Sequence, residues 1–212
     1  MLRLTSVICL ISLLYSTSVF AGDLLIIRHG NSQNNLAHEY NSNPSHPKYR
    51  VSCLTPLGVK QSVKTAKSLL EKGYSNDNIA EVVVSPLPRT RQTAKVLVEQ
   101  GLFTPDKIRI DNRLIEVSAG DREGLSTDIF NEDPWERPNA SEYLGETNYQ
   151  VKERVMSLYK ETLEEYGERP DKHVLYITHG MPSYELIDAI KGERIRMQTA
   201  ETMILPLNKA KA

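Results

Sequence analysis

The sequence predicts an α/β fold, a three-layer α/β/α sandwich with a mainly parallel central sheet. Two observations carry that expectation. Short apolar runs at 24–27, 82–84, 108–110, 173–178 and 202–207 alternate with longer stretches whose apolar residues recur at helical spacing. That alternation is the pattern of strand–helix–strand units, which cover both faces of a parallel sheet. With 212 residues, 40% of them hydrophobic, the chain has enough material for one domain with a sizeable buried core.

Leu24-Leu25-Ile26-Ile27, bounded by Gly22 and Gly30, reads as a central strand buried on both faces. Residues 31–53, rich in Asn, Ser, His and Pro, hold no sustained period and read as a long surface loop, a kind of segment that often carries function. Thr55 and Pro56 then open a helix as cap and first helical residue. Val59, Val63, Ala66 and Leu70 give it an apolar face, and Gly73 suits its C-terminal end. Val82-Val83-Val84 is the second strand, and Ser85-Pro86 opens a helix that turns Ala94, Leu97 and Val98 inward. Ile108-Arg109-Ile110 makes a short third strand; residues 118–148, with Trp135 and several prolines, are irregular. Val151, Val155, Leu158 and Thr162 mark a long helix, followed by a strand from His173 to Thr178, a helix over 182–190 and a last strand from Thr202 to Leu207.

Residues 1–21 stand outside this alternation. Arg3 gives a positive start, Val7 to Leu14 an apolar stretch broken only by Ser12, and Val19-Phe20-Ala21 a small-residue end. This is the order of a secretory signal peptide, and the stretch is short of the roughly 20 residues a spanning helix needs. We therefore expect an exported, periplasmic or secreted protein, with a domain over 22–212 and no stable membrane anchor after cleavage. Cys53 is the one cysteine beyond residue 21, so neither an internal disulfide nor a paired-cysteine zinc site is expected. The formal net charge of −1 argues against a broad nucleic-acid-binding face.

In parallel sheets ligands bind beyond the carboxyl ends of the strands. The first apolar run ends in Arg28-His29-Gly30, the second in Ser85 with Arg89 one helical turn on, and the fourth in Thr178-His179-Gly180. Two imidazoles and two guanidiniums are thus delivered toward one edge. Guanidiniums fork onto phosphate oxygens, and a neutral imidazole is nucleophilic near pH 7. A metal site is the competing reading for two histidines. It lacks a third ligand at a strand end, and the flanking arginines repel a cation.

Arg28-His29-Gly30-Asn31-Ser32-Gln33-Asn34-Asn35 resembles the Arg-His-Gly-x-Ser-x-x-Asn signature of the histidine phosphatase superfamily, in its phosphoglycerate mutase-like branch 1. Further segments resemble that branch's later motifs, in its order. They are Leu54 to Gln61, Ser85 to Ala94, Leu114-Ile115-Glu116 through Gly124, Gly145-Glu146-Thr147 and Thr178-His179-Gly180. The resemblance implies a phosphoglycerate mutase-like fold and a phosphatase working through phosphohistidine without cofactor or metal. His29 would be the nucleophile. Arg28, Arg89, His179 and Asn35 would surround the phosphoryl group, and Glu116 would donate a proton, with Glu123 the less favoured acid.

The substrate is expected to be a small-molecule phosphoester or a phosphoprotein. A mutase-type phosphotransferase is the nearest rival. The segment 125–148 is short and mostly acidic or neutral here, unlike the long basic closing segments of mutases. The second rival is a non-catalytic phospho-ligand-binding protein on the same fold. The presence of all five candidate catalytic residues argues against that reading, and Ser32 and Asn35, standing where phytase-like relatives follow Arg-His-Gly with another arginine, lower a phytase-like function. His38, His46 and His173 are read as structural or solvated, residues 36–52 as either a pocket wall or a solvated loop, and Asn139-Ala140-Ser141 as a sequon that matters only in a eukaryotic secretory pathway.

Overall fold

The computed structural model describes residues 22–130, 133, 135–137 and 140–208; residues 1–21, the expected signal peptide, and the sequon asparagine lie outside them. Five strands form one sheet: β1 (Gly22–Arg28), β2 (Ile79–Val84), β3 (Ile108–Ile110), β4 (His173–Thr178) and β5 (Thr202–Leu207). Their spatial order is β3-β2-β4-β1-β5. The pairs β1–β4, β2–β4 and β2–β3 are parallel, and β5 runs antiparallel along the edge of β1.

Alternate strand residues feed two separate cores, as the period of two along a strand requires. Leu25, Ile27, Val82, Val84, Leu175 and Ile177 pack beneath helices α2 (Pro56–Glu71) and α3 (Pro88–Glu99). Leu24, Ile26, Val83, Val174 and Tyr176 face the other way, onto α4 (Asn148–Tyr166) and α5 (Gly180–Lys191). The three layers expected from the alternation are therefore present. Among the described residues, no helix is long and apolar enough to cross a membrane.

Three local expectations are corrected. The loop after β1 contains a short helix, α1 (Gln33–Ala37), with no buried residue and hence no apolar period to announce it. Helix α3 begins at Pro88, not at Ser85-Pro86. Ser85 stays in extended connection because its amide continues the strand ladder to the Ile177 carbonyl at 3.0 Å. Helix α2 starts where expected, with Thr55 accepting from the Gly58 amide, yet its buried face is Gly58, Ser62, Ala66 and Leu69. Val59 and Leu70, expected inside, are 41% and 36% exposed. The cause is steric. A Cβ on Gly58 would sit 2.0 Å from the Asn31 carbonyl oxygen, and one on Gly30 would sit 2.4 Å from the Gly58 oxygen. The helix lies backbone to backbone against the turn after His29, which only its smallest residues allow.

Candidate active site

The site is assembled by strand register. Arg28 on β1 pairs with Thr178 on β4, and Ile177 pairs with both Ile27 and Val84. The His29 amide extends the β1–β4 ladder onto the Thr178 carbonyl at 2.9 Å. His29, His179 and Ser85 therefore leave three adjacent strands at one level. The two imidazoles meet edge to face with ring centroids 5.0 Å apart.

The motif residues hold the His29 turn from all sides. Thr93 accepts the Gly30 amide at 3.1 Å, and Gln61 accepts the Asn31 amide at 2.8 Å. The Thr55 hydroxyl donates to the Asn31 side chain at 2.8 Å, and Gln92 accepts the Leu54 amide at 2.7 Å. Each of these bonds ties α2, its cap or α3 to the segment 30–54 that follows the nucleophile candidate.

His29 Nδ1 lies 2.7 Å from the Gly30 carbonyl, and Arg89 Nε donates to His29 Nε2 at 3.1 Å. A carbonyl accepts only, so Nδ1 carries the proton and Nε2 presents its lone pair. Burial first, then Arg89 and Arg28, hold the His29 pKa well below the usual 6.5. The same causes act on His179, with burial leading, followed by Arg89 and His29. His179 Nε2 meets the Ser85 hydroxyl at 2.7 Å, while its Nδ1 is buried without a partner.

Arg89, 1% exposed, points inward from α3 while Arg91 faces solvent. Desolvation brings its pKa down to about 10, so it remains charged at neutral pH. Its two terminal nitrogens both end on Asn41, Nη1 on the side-chain oxygen and Nη2 on the carbonyl, each at 2.8 Å. Arg28 donates from Nη1 to the Met197 carbonyl at 2.6 Å, and its Nε is buried and unpaired. Glu116 sits at the start of α5. Its Oε1 accepts from Val117 at 2.9 Å and Met181 at 3.3 Å, and its Oε2 from Gly180 at 3.3 Å. The Thr178 hydroxyl fixes this segment by donating to the Leu114 carbonyl at 2.8 Å.

Arg28 and Glu116 open on a cavity of about 190 Å³ that also has Tyr40, Asn41, Trp135 and Arg137 among its walls, while His29, Arg89 and His179 are not among its lining residues. Residues 39–42 are thus a pocket wall. The wall is anchored by Glu123, which is fully buried and accepts from the Ser42 amide and hydroxyl at 2.8 and 2.7 Å. Asn35 is not brought to the cavity; its side-chain oxygen accepts the Ser32 amide and caps α1. Its neighbour Asn34 lines the wall instead. His38 pairs with Asp128 on the surface at 3.1 Å, His46 accepts the Lys48 amide at 3.2 Å and His173 accepts the Asp23 amide at 3.0 Å. None of these three enters the site.

Asn41, Trp135 and Arg137 were not singled out by sequence reasoning. They lie in aperiodic segments, and only Trp135, as the lone tryptophan, gave any signal. Its ring stacks 5.4 Å from Tyr184 and 5.8 Å from the Arg28 guanidinium, in space that Gly180 leaves open. No cluster of three or more metal-ligating side chains occurs among the described residues.

The sequence model of the histidine phosphatase superfamily (branch 1) matches residues 24–205. No curated protein sequence matches the chain. Solved structures similar to it include an open reading frame product of Mycobacterium tuberculosis, 27% identical, covering 86% of this chain and 90% of that one with a TM-score of 0.63. A mycobacterial glucosyl-3-phosphoglycerate phosphatase in complex with VO3 is 25% identical, covering 87% of this chain and 92% of its own with a TM-score of 0.68. YhfR from Bacillus stearothermophilus, at 24% identity, covers 87% of this chain and 90% of its own, with a TM-score of 0.67, and shows the shared fold.

Proposed function

Since the chain belongs to the histidine phosphatase superfamily, we propose that it is a phosphomonoester hydrolase acting through a phosphohistidine on His29, outside the cytoplasm. The observation that carries the reading is the state of the His29 ring. Its Nδ1–H is held by the Gly30 carbonyl, and its Nε2 lone pair faces Arg89 in a buried position where the ring stays neutral.

The chemistry follows from the geometry. A phosphoryl group entering the cavity exchanges its oxygens for the two Asn41 oxygens now on the Arg89 fork. Arg28 and His179 supply the unpaired buried nitrogens that take the remaining charge. His29 Nε2 attacks phosphorus in line, and the phosphorus–oxygen bond to the alcohol breaks. Glu116, entering as the acid, gives its proton to the departing oxygen. Its Oε2, with a single long contact to an amide, has room for that proton, while Oε1 takes the two other amides. Water then attacks phosphorus and passes a proton to Glu116, the electron pair of the phosphorus–nitrogen bond returns to Nε2, and inorganic phosphate leaves. Glu123 has both oxygens committed to residues 42 and 43, which favours Glu116 as the acid.

A structural relative named as a phosphatase and solved with VO3 supports hydrolysis over transfer. Export rests on the charged, apolar and small-residue order of residues 1–21; a mature amino terminus at Gly22 supports it, and retention of Met1 argues against it. The function is tested by phosphate release from a panel of phosphomonoesters and by trapping acid-labile phosphohistidine. His29→Ala is expected to abolish both. Full activity in that variant excludes the mechanism, and transfer to an acceptor without phosphate release makes the chain a mutase.

A further inference from the structure

We propose that the ridge formed by α1, residues 51–54 and the outer face of α2 is a docking surface for an anionic lipid bilayer, which holds the chain reversibly at a membrane. Docking draws on no catalytic group, so it stands or falls separately from the phosphatase reading.

The ridge is one piece. The Gln33 amide donates to the Cys53 carbonyl and the Asn34 amide to the Ser52 hydroxyl, each at 3.0 Å, and the Thr55 amide donates to the Asn31 carbonyl at 2.9 Å. Asn34 also lines the cavity, so the ridge borders its mouth. Leu36 and Val51 are each 66% exposed, and Leu57, in the first turn of α2, is 54% exposed. The short α1 buries no residue, so Leu36 serves no core. A single exposed leucine is ordinary, whereas three large apolar side chains on segments tied together mark a contact surface.

Charge selects the partner. Lys60, Lys64 and Lys67 follow Leu57 at spacings of three, seven and ten residues, which set all four on one side of the helix, away from its buried face of Gly58, Ser62, Ala66 and Leu69. The three lysines are exposed, as is Arg50 beside Val51. Among the described residues none of these four cations pairs with a carboxylate, whereas Lys95 on α3 pairs with Glu99 at 3.7 Å. The acids of these segments are Glu39, which lines the cavity, and Glu71, at the far end of α2. On the opposite face of the sheet α4 carries four acids against three bases, and the whole chain has a formal charge of −1. Positive charge is thus concentrated on the ridge.

Lysines beside exposed apolar groups match a bilayer, whose head groups supply the negative charge and whose acyl boundary takes the apolar side chains. A soluble polyanion would use the lysines alone. A second copy fits worse, because a twofold contact sets the same lysines against each other.

The test measures partitioning of the full chain onto vesicles of phosphatidylglycerol and phosphatidylcholine in equal parts, beside pure phosphatidylcholine. Both lipids are phosphodiesters, so a phosphomonoester site does not hold them. The native chain is expected to prefer the anionic vesicles by about a hundredfold and to lose that preference in 1 M NaCl, where the screening length falls to about 3 Å. K60Q/K64Q/K67Q lowers binding about a hundredfold, at about fivefold per lysine. L36S/V51S/L57S lowers it about tenfold or more by removing the apolar contacts. All six sites are exposed, and the lipid and salt comparisons on the native chain need neither variant. Equal binding to both vesicle types, or a loss under tenfold in the lysine variant, overturns the proposal. Binding unchanged in the apolar variant makes any polyanion the occupant and also overturns it. So does a dimer in vesicle-free buffer that the apolar variant dissolves, which makes the ridge a contact between copies.

Discussion

Replacing Glu116 by glutamine separates proton donation from every other contribution to the site. The amide oxygen can keep the Val117 and Met181 amides, at 2.9 and 3.3 Å, while the new NH2 faces the Gly180 amide across the 3.3 Å contact that was Oε2. One weak hydrogen bond is lost, worth about 0.5–1.5 kcal/mol. At about 2–4 °C per kcal/mol for a domain of this size, the melting temperature drops by a few degrees. The chemical loss is larger. A positioned general acid contributes about 10²–10⁴ in rate, equal to about 3–5 kcal/mol of barrier. That loss falls on alkyl phosphates, whose alkoxide cannot leave unprotonated. With p-nitrophenyl phosphate the leaving phenolate is stable alone, and the loss stays under about tenfold because the acid is not needed. The assay is kcat on both substrates, read beside thermal unfolding. Equal losses on the two, or none on the alkyl ester, would falsify the assignment of Glu116 as the acid.

Two further outcomes follow from the packing. His29 and His179 have folded pKa values held well below 6.5, so below that pH the unfolded chain binds more protons than the folded one. Their contribution is fully present above pH 6.5 and is lost as pH falls, by about 1.4 kcal/mol per pH unit for each histidine. Melting temperatures at pH 7.5, 6.5 and 5.5 should decline accordingly, with a shallower decline in His29→Asn; a flat profile rules this out. Gly58→Ala places a Cβ 2.0 Å from the Asn31 carbonyl oxygen, a backbone atom that cannot swing aside. It should cost about 1–3 kcal/mol of stability, as overpacking does, and lower kcat/KM by moving the turn after His29. Calorimetry and kinetics check both, and unchanged values would mean the helix can slide away freely.

The layers, the strands and the histidine pair were legible because they are written in periodicity and in polar residues at strand ends. His173 to Thr178 and Thr202 to Leu207 match their strands residue for residue. That β5 runs antiparallel was not legible, since pairing direction leaves no mark in a short apolar run. The apolar count along α2 pointed one residue off, to Val59 and Val63. The contact there is made by Gly58 and Ser62, residues whose value is their small size and not their hydrophobicity. Within the site, residues on strand ends and helix starts were found from the pattern, Glu116 on its irregular segment was found only through the family resemblance, and Asn41 and Arg137 on irregular segments were missed. Asn41 and Arg137 are single polar residues among many, and only their burial against Arg89 and the cavity marks them out. Asn35 shows the reverse case, a polar residue in a matching pattern whose oxygen is used to cap its own helix.

The two imidazoles stand one peptide beyond a shared rung of the β1–β4 ladder, although one leaves the first strand and the other the fourth. A chain that stops short of β4 therefore cannot assemble the site. Until β4 has threaded into the gap between β2 and β1, the nucleophile has no second ring beside it and Glu116 no helix start to rest on. Such distant pairing is slow to close, and it makes assembly of the site a late step of folding.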